Sequence, residues 1–271
     1  MKKKSGRTVK GSVGAENNSR RYRDKTELIG GRQTVLEALR YGSPRRILLV
    51  EGQRGRVIEE ITTLANKKRI QCEFLPRNDF ARLTHEITSP QGVAALVPSF
   101  YYHTLDELIK ISRSAARQPF LLMLDHIEDP QNLGAVMRTA DAAGVHGLII
   151  PDKRAAGVTA AVRKVAAGAA ERLPVALVGN LNRATEQLKE EGFWVYGAEA
   201  AGELEYYRAD YRRALVLLVG SEGKGISRLL RENCDQMLTI PMPGKAGSLN
   251  LSVAAALIIY TVLAQREGWS S

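Results

Sequence analysis

The sequence predicts an α/β protein whose C-terminal part holds a mostly parallel sheet, and three observations support this fold class. Short, unbroken apolar runs such as residues 215–219 have the pattern of parallel strands that are buried on both faces. Segments with helical patterns alternate with these runs along most of the chain. Two loops rich in glycine follow predicted strands near the C-terminus, and open α/β sheets bind their ligands at that edge.

The N-terminus carries most of the positive charge of the chain. Of the 271 residues, 44% are hydrophobic and 25% are charged, which is ordinary for a globular protein, and the formal net charge is +10. Residues 1–25 alone hold nine Lys or Arg against Glu16 and Asp24. Because this segment also lacks hydrophobic periodicity, we predict a disordered basic tail over residues 1–26 that contacts nucleic acid. The alternative is a solvated terminus that only aids solubility.

The composition argues against several classes of protein. The most apolar segment, residues 251–264, is too short to span a bilayer and contains Ser252 and Tyr260. No apolar segment follows the basic N-terminus, so we expect no secretory signal. The two cysteines, Cys72 and Cys234, cannot form a disulfide framework or a CxxC site. We therefore expect a cytoplasmic protein that has no membrane contact and no bound metal.

A small α/β domain is predicted over residues 27–98. Its helices and strands alternate in the order helix 34–39, strand 46–50, helix 57–67, strand 71–75, helix 79–83 and strand 92–97. None of its residues has a catalytic pattern, and its basic residues are interpreted as a solvated face: Arg54, Arg56, Lys67, Lys68 and Arg69. A linker with a short helix at residues 105–112 is predicted over residues 99–117.

The larger domain is predicted over residues 118–268. Its strands are predicted at residues 120–125, 145–150, 174–178, 193–198, 215–219 and 237–240. Its helices are predicted after Asp129, in part of 152–172, at 181–191, from about 227 and at 251–264. Asp129 can cap the helix that begins with Pro130, because proline suits the first turn. Four basic residues before the middle of this domain are available to phosphates: Arg154, Arg163, Lys164 and Arg172.

The two glycine-rich loops do not fit the common nucleotide-binding motifs. Gly220, Gly223 and Gly225 have the spacing GxxGxG instead of the dinucleotide fingerprint GxGxxG. In the second loop Ala246 follows Lys245, where a P-loop has Ser or Thr. The spacing alone therefore leaves the ligand open.

Longer stretches of the sequence resemble a known family. GSEGKGIS at 220–227 and IPMPGKAGSLNLSVAAAL at 240–257 resemble the second and third motifs of the SpoU (TrmH-type) RNA ribose 2′-O-methyltransferases. LDHIEDPQNLGAVMRTADAAG at 124–144 resembles their first motif. IGGRQTVLEAL at 29–39 and GVAALVP at 92–98 are similar, less closely, to the start and end of the ribosomal-protein-like substrate-binding domain that some members carry.

The resemblance implies a fold, a cofactor and partners. The SpoU enzymes belong to the SPOUT superfamily, whose members tie their mostly parallel sheet into a deep trefoil knot around S-adenosylmethionine. We therefore expect S-adenosylmethionine as the cofactor, RNA as the partner, and a small N-terminal α/β domain that binds the RNA. The resemblance also implies a homodimer through the C-terminal domain. Residues 251–264 agree with this, because they are apolar on more than one face and a sheet buries only one stripe of a helix.

The resemblance also assigns roles to individual residues. The catalytic candidates are Asn132, Arg138, Glu222, Ser248 and Asn250. The candidates for cofactor binding are Gly220, Glu222, Gly223, Ile240, Met242 and Leu249. We expect Ser248 and Asn250 to cap the last helix and face the target nucleotide, and Glu222 to fix its loop or orient Arg138. The simpler alternatives are an ion pair between Arg138 and Asp141, helix capping alone for Ser248, and core packing for Ile240 and Leu249.

The resemblance leaves the role of Arg138 open between a general base and an electrostatic group. To act as a base near neutral pH, an arginine guanidinium would have to lose about five pKa units, at a cost of roughly 7 kcal/mol. We favour the second role, in which Arg138 holds the target phosphate and stabilises the emerging alkoxide. The resemblance also suggests an active site that is shared between the two chains of the dimer. In such a site, Arg138 of one chain approaches the cofactor held by the other.

The resemblance over the full length is closest to bacterial enzymes that methylate a guanosine of 23S rRNA. The alternatives within the family are tRNA and an antibiotic-resistance site on rRNA. A protein of another class, which binds RNA on the same fold without catalysis, would be expected to lack Arg138 or the two loops. This chain keeps all three.

Overall fold

The computed structural model of the protein describes residues 26–153, 155–244 and 247–269. These residues form an α/β fold with two sheets, one of four strands and one of seven. The predicted tail up to Lys25 lies outside the described residues, as do Arg154, Lys245 and Ala246. Within the described ranges no helix is long and apolar enough to cross a membrane.

The four-stranded sheet belongs to the N-terminal part of the chain. Its strands are β1 (Thr26–Gly30), β2 (Arg46–Val50), β3 (Gln71–Leu75) and β4 (Val93–Pro98), in the order β1-β4-β2-β3. The helices between them are α1 (Arg32–Tyr41), α2 (Arg56–Lys67) and α3 (Arg77–Leu83). Strands β2 and β3 are parallel, whereas β4 is antiparallel to both β1 and β2. Strand β1 was not predicted from the sequence, because its pairing partner β4 lies more than sixty residues away.

The seven-stranded sheet confirms the predicted parallel architecture. Its strands are β5 (Phe120–Asp125), β6 (Gly147–Pro151), β7 (Val175–Val178), β8 (Trp194–Ala198), β9 (Leu204–Glu205), β10 (Leu215–Gly220) and β11 (Gln236–Thr239). The order is β7-β6-β5-β10-β8-β11-β9, and each of these pairings is parallel. Strand order alone does not test the trefoil knot, which stays a prediction.

Helices cover both faces of this sheet. They are α4 (Leu105–Ser114), α5 (Pro130–Ala142), α6 (Ala160–Ala166), α7 (Leu181–Glu190), α8 (Arg228–Glu232) and α9 (Leu251–Glu267), with 3-10 turns at Ala169–Glu171 and Tyr206–Arg208. The central strand β10 shows why its sequence is apolar without interruption. Leu217 packs into the core on one face and Leu218 into the core on the other. Asp129 caps α5 through its side chain and Pro130 follows, as predicted.

The segment predicted as a linker is folded onto the second sheet. The N–H of His103 donates to the carbonyl of Val175 in β7 at 2.8 Å. Helix α4 begins with a capping box, in which Thr104 and Glu107 each accept a backbone hydrogen bond from the other. The hydroxyl of Tyr102 accepts from the N–H of Val158 at 2.7 Å. These contacts anchor the linker before β5 begins.

Two arginines join the two sheets, and we call this group the arginine clamp (Arg163 and Arg172). The side chain of Arg163 is only 5% exposed, pairs with Glu171 at 3.1 Å, and donates to the carbonyl of Pro98 at the end of β4. Arg172 pairs with Asp141 at 2.6 Å and lies 3.6 Å from Glu37 of α1. The prediction that these two arginines are available to phosphates is therefore wrong.

Glu27 lies beside the arginine clamp and provides a test of this interface. Its Oε2 is buried without a hydrogen-bond partner among the described residues, and burial raises the pKa of this carboxyl above its ordinary value of 4.5. Nearby Glu171 also raises the pKa, while Arg163 opposes the shift. A carboxyl with a raised pKa binds its proton more tightly in the folded state. The fold therefore loses stability as the pH rises from 4.5 through the raised pKa.

We expect Glu27→Gln to raise the melting temperature at pH 7.5, because glutamine is as polar as the protonated acid but cannot ionise. The gain should become small near pH 4, below the ordinary pKa of 4.5, where Glu27 is mostly protonated in both states. Thermal unfolding of the two proteins at both pH values measures this. An equal gain at both pH values would contradict the role of ionisation.

Candidate active site

A cavity of about 330 Å³ lies where β8, β10 and β11 end. Three segments line it: the end of β8, the loop after β10, and the chain between β11 and the first turn of α9. Every residue predicted to bind the cofactor is among the lining residues: Gly220, Glu222, Gly223, Ile240, Met242 and Leu249. The sequence thus brings its two glycine-rich loops to one edge of the sheet, as expected for parallel strands.

The loop after β10 closes tightly on itself. The N–H of Gly225 donates to the carbonyl of Ser221 at 2.8 Å. A Cβ atom at Gly220 would lie 2.2 Å from the carbonyl carbon of Gly225, so only glycine allows this approach. Gly225 itself has φ +61°, a left-handed conformation that favours glycine. Gly223 differs, because a Cβ atom there would meet no other atom within 4 Å.

Polar side chains from all three predicted motifs meet beside this cavity, and we call them the amide–carboxylate cluster (Asn132, Glu222 and Asn250). The Nδ2 of Asn250 donates to Oδ1 of Asn132 at 2.9 Å and to Oε1 of Glu222 at 2.6 Å. Glu222 also accepts from the backbone N–H of Leu251 at 3.1 Å. Asn132 and Asn250 are 118 residues apart in the chain. The cluster therefore ties the start of α5, the loop after β10 and the start of α9 together.

The start of α9 corrects one prediction about capping. The cap residue is Asn250, whose Oδ1 accepts from the N–H of Ser252 at 2.9 Å. Ser248 lies two residues earlier, is exposed, and lines the cavity. The prediction that Ser248 caps this helix is therefore wrong, whereas the same prediction for Asn250 is confirmed.

Arg138 lies apart from the cluster. It is exposed on α5, with no hydrogen bond or ion pair to any described residue. The alternative of an ion pair with Asp141 is wrong, because Asp141 pairs with Arg172. At about 100° per residue, Arg138 projects roughly 120° away from Asn132 around the helix. Glu222 contacts the start of α9, and this position does not support its predicted role in orienting Arg138.

Helix α9 presents an apolar face next to Arg138. Val253, Leu257 and Tyr260 are 39–47% exposed although they are large and apolar. With Ala135 and Thr139 of α5 they line a shallow groove. These two residues are three positions before and one position after Arg138, so Arg138 stands at the border of the groove.

The structure also brings residues to the site that the sequence analysis missed. Glu199 lines the cavity and pairs with Arg231 at 2.7 Å. Lys224 pairs with Glu128 of the first motif at 3.1 Å. Asp125 is buried at the end of β5 and accepts from the N–H of Ser227 at 3.0 Å. The position of Asp125 and Glu199 at the ends of predicted strands was a usable signal, because such ends share one edge of a parallel sheet.

Two family models match the chain and together cover both sheets. The model of the SpoU rRNA Methylase family matches residues 119–260. A second model, described as RNA 2′-O ribose methyltransferase substrate binding, matches residues 28–103.

Individual relatives are similar over nearly the whole chain. The Bacillus subtilis protein YacO, which its name assigns to the TrmH family of tRNA/rRNA methyltransferases, is 43% identical over 245 residues, which cover 88% of this chain and 95% of YacO. The crystal structure of the SpoU methyltransferase AviRb from Streptomyces viridochromogenes has a TM-score of 0.77 and 25% identity, and the match covers 94% of this chain and 95% of AviRb. AviRb in complex with AdoMet (S-adenosylmethionine) gives a TM-score of 0.76 at 24% identity, covering 94% of this chain and 96% of AviRb.

Proposed function

Because this chain belongs to the SpoU family of RNA methyltransferases, we propose that it transfers a methyl group from S-adenosylmethionine to a ribose 2′-hydroxyl of structured RNA. The observation that carries this proposal is that the amide–carboxylate cluster lies beside the cavity at the edge of the parallel sheet, with Glu222 part of both. We assign RNA binding to residues 27–98 and methyl transfer to residues 118–268. The target we propose is a guanosine of 23S rRNA.

The cavity suits S-adenosylmethionine in size and lining. Its volume of about 330 Å³ falls in the range of roughly 300–1,000 Å³ that is usual for small-molecule sites. Ile240, Met242 and Leu249 supply apolar surface for the adenine ring, and the backbone of the glycine loops supplies donors and acceptors. The carboxylates of Glu199 and Glu222 suit a ligand that carries positive charge. When bound, S-adenosylmethionine supplies an activated methyl group on its sulfonium sulfur.

The protein must then position the ribose and stabilise the oxygen that loses its proton. In the amide–carboxylate cluster, Oδ1 of Asn132 accepts from Asn250. This bond fixes the orientation of the Asn132 amide and leaves its Nδ2 to donate to the target nucleotide. Arg138, whose guanidinium pairs with no described residue, holds the target phosphate and stabilises the developing alkoxide.

We propose that a second copy of the chain covers the apolar groove. The groove is lined by Val253, Leu257 and Tyr260, and a large exposed apolar patch usually marks an interface. A two-fold dimer packed here would hold Arg138 of each copy against the other. This arrangement explains why Arg138 points away from the cluster of its own chain. Each active site then combines Arg138 of one protomer with the cavity of its partner.

Mixing two inactive variants tests the composite site. We expect Arg138→Ala and Gly220→Ala to be inactive alone, and to regain activity after they are unfolded and refolded together. Each mixed dimer would hold one intact site and one site with both defects, so activity should approach about a quarter of wild type. If mixed dimers form, as native mass spectrometry can verify, and activity stays absent, Arg138 acts within its own protomer.

The RNA target requires a separate experiment. Ribose methylation is mapped in rRNA and tRNA from a strain that lacks the protein, and the purified chain is then supplied with each RNA. We expect one guanosine of 23S rRNA to lose its methyl group in the strain and to regain it in vitro. Loss of a tRNA methyl group would support the alternative substrate. RNA binding without methyl transfer in any RNA would support the non-catalytic alternative.

A further inference from the structure

A second cleft, far from the amide–carboxylate cluster in sequence, lies in the N-terminal sheet. It opens where the parallel strands β2 and β3 end, and its volume is about 1100 Å³. The loops after these strands, the first residue of α1 and the loop before β4 line it. This edge is where open α/β sheets bind ligands. The volume accommodates a nucleotide together with its neighbouring phosphates.

The polar groups of the cleft are organised around Arg32. Its Nη2 donates to Oε1 of Gln53 at 2.9 Å, and its backbone N–H donates to Oε1 of Gln91 at 3.0 Å. Both interactions require a carbonyl oxygen, so they fix the orientation of the two glutamine amides. The amino groups of Gln53 and Gln91 are then left as donors that have no acceptor among the described residues. The Nε of Arg32 is also buried without an acceptor there.

The backbone around Gln91 adopts conformations that are unfavourable for residues other than glycine. Ser89 and Gln91 have φ values of +60° and +55°, in the left-handed region that non-glycine residues rarely adopt. Gly92 follows with φ +73°, and a Cβ atom there would collide with the amide of Gln53. Residues held in such conformations cluster at ligand sites, because the surrounding structure must enforce them.

The cleft is a positively charged surface of hydrogen-bond donors. Arg32, Arg54 and Arg77 line it against a single carboxylate, Glu51. Arginines at the rim suit phosphates, and the fixed amino groups inside suit acceptor atoms. Among the bases, guanine presents two adjacent acceptors, O6 and N7, which pair well with paired N–H donors. Adenine has an amino donor in place of the O6 acceptor, and this amino group would face the N–H donors of the cleft.

We propose that this cleft binds an unpaired guanine nucleotide of the RNA, with the donors of Arg32, Gln53 and Gln91 reading its O6 and N7 edge. The inference rests on the proposed function for the identity of the ligand as RNA. It goes further by making these side chains determinants of specificity, at a site separate from methyl transfer. The recognised guanine is distinct from the nucleotide that is methylated.

Two isosteric substitutions test the reading of the base. Gln53→Glu and Gln91→Glu keep the oxygen that accepts from Arg32 and replace only the donor amino group. The matched control is Gln71→Glu, which adds the same charge at the start of β3, at the opposite end of that strand from the cleft. Binding of five-nucleotide RNAs with a central G, A, C or U between adenines is measured by fluorescence anisotropy with the full chain.

We expect wild type and Gln71→Glu to bind the RNA with central guanine roughly 10-fold more tightly than the other three. Gln53→Glu and Gln91→Glu should lose this preference, while their melting temperatures and their affinity for S-adenosylmethionine stay unchanged. With a full RNA substrate, the KM for RNA should rise and kcat should change little. Equal binding of all four RNAs by wild type, or an unchanged preference in both variants, would overturn the proposal.

The outcome is separable from that of the proposed function. If Gln53→Glu and Gln91→Glu lose the guanine preference of wild type, but wild type transfers no methyl group to any RNA, the cleft proposal stands and the proposed activity fails. If wild type methylates RNA and shows no base preference, the activity stands and the cleft proposal fails.

Discussion

Replacing Arg138 with alanine is expected to lower the rate of methyl transfer about 100- to 1,000-fold, the usual effect of removing one group that stabilises a developing negative charge. The affinity for S-adenosylmethionine should change little, because Arg138 does not line the cavity. The fold should also be unaffected, since the side chain is exposed and contacts no described partner. Single-turnover rates and calorimetric titration of the cofactor measure the two effects separately.

Arg138→Lys distinguishes the two roles considered for this residue. A lysine retains the positive charge but loses the planar pair of donors, so partial activity is expected if the role is electrostatic. Lysine has an ordinary pKa near 10.4, below that of arginine, so a larger fraction of it is deprotonated near neutral pH. If Arg138 is the general base, the lysine variant should therefore keep full activity and gain a new dependence on pH. A loss of cofactor affinity in either variant would contradict a role confined to the RNA.

The second large effect is expected at Gly220. In Gly220→Ala the new methyl group would lie 2.2 Å from the carbonyl carbon of Gly225. The loop after β10 must then move, and this loop forms one wall of the cavity. We expect the affinity for S-adenosylmethionine to fall up to about 100-fold, since distortion of a packed site costs up to roughly 3 kcal/mol. Titration calorimetry with the cofactor alone measures this without RNA.

Gly223→Ala is the matched control in the same loop. A Cβ atom at Gly223 has no neighbour within 4 Å, and this glycine does not have a positive φ. We expect its cofactor affinity to stay within a few-fold of wild type. Equal losses in both variants would mean that the flexibility of the loop matters more than its packing.

Much of the larger sheet could be predicted from the sequence because local patterns determine it. Strand β5 was predicted with its observed ends, since it is an unbroken apolar run buried along its whole length. The capping of α5 by Asp129 also follows from adjacent residues. Strand β9 was missed, because two residues carry no periodicity and pair only with the distant β11. Elements that depend on remote partners have weak local signals.

In the candidate site, too, local features could be predicted from the sequence, whereas contacts between distant residues could not. The resemblance identified Asn132, Glu222 and Asn250 individually, and the fold brings Asn132 and Glu222 within hydrogen-bond distance of Asn250. No local pattern could reveal that Asp141 is occupied by Arg172, which is thirty-one residues away. For the same reason, the sequence could not distinguish arginines that bind RNA from those of the arginine clamp. Burial and partner choice decide this, and both are tertiary properties.

The arginine clamp has a consequence for how a large RNA must approach. Arg163 donates to the carbonyl of Pro98, and Arg172 lies 3.6 Å from Glu37, so both arginines connect the N-terminal sheet to the C-terminal part of the chain. These contacts fix the distance between the candidate active site and the cleft for which we propose guanine binding. We expect an RNA that contacts both the cleft and the active site to bend or unwind to match that distance. The conformational change on binding is therefore expected in the RNA.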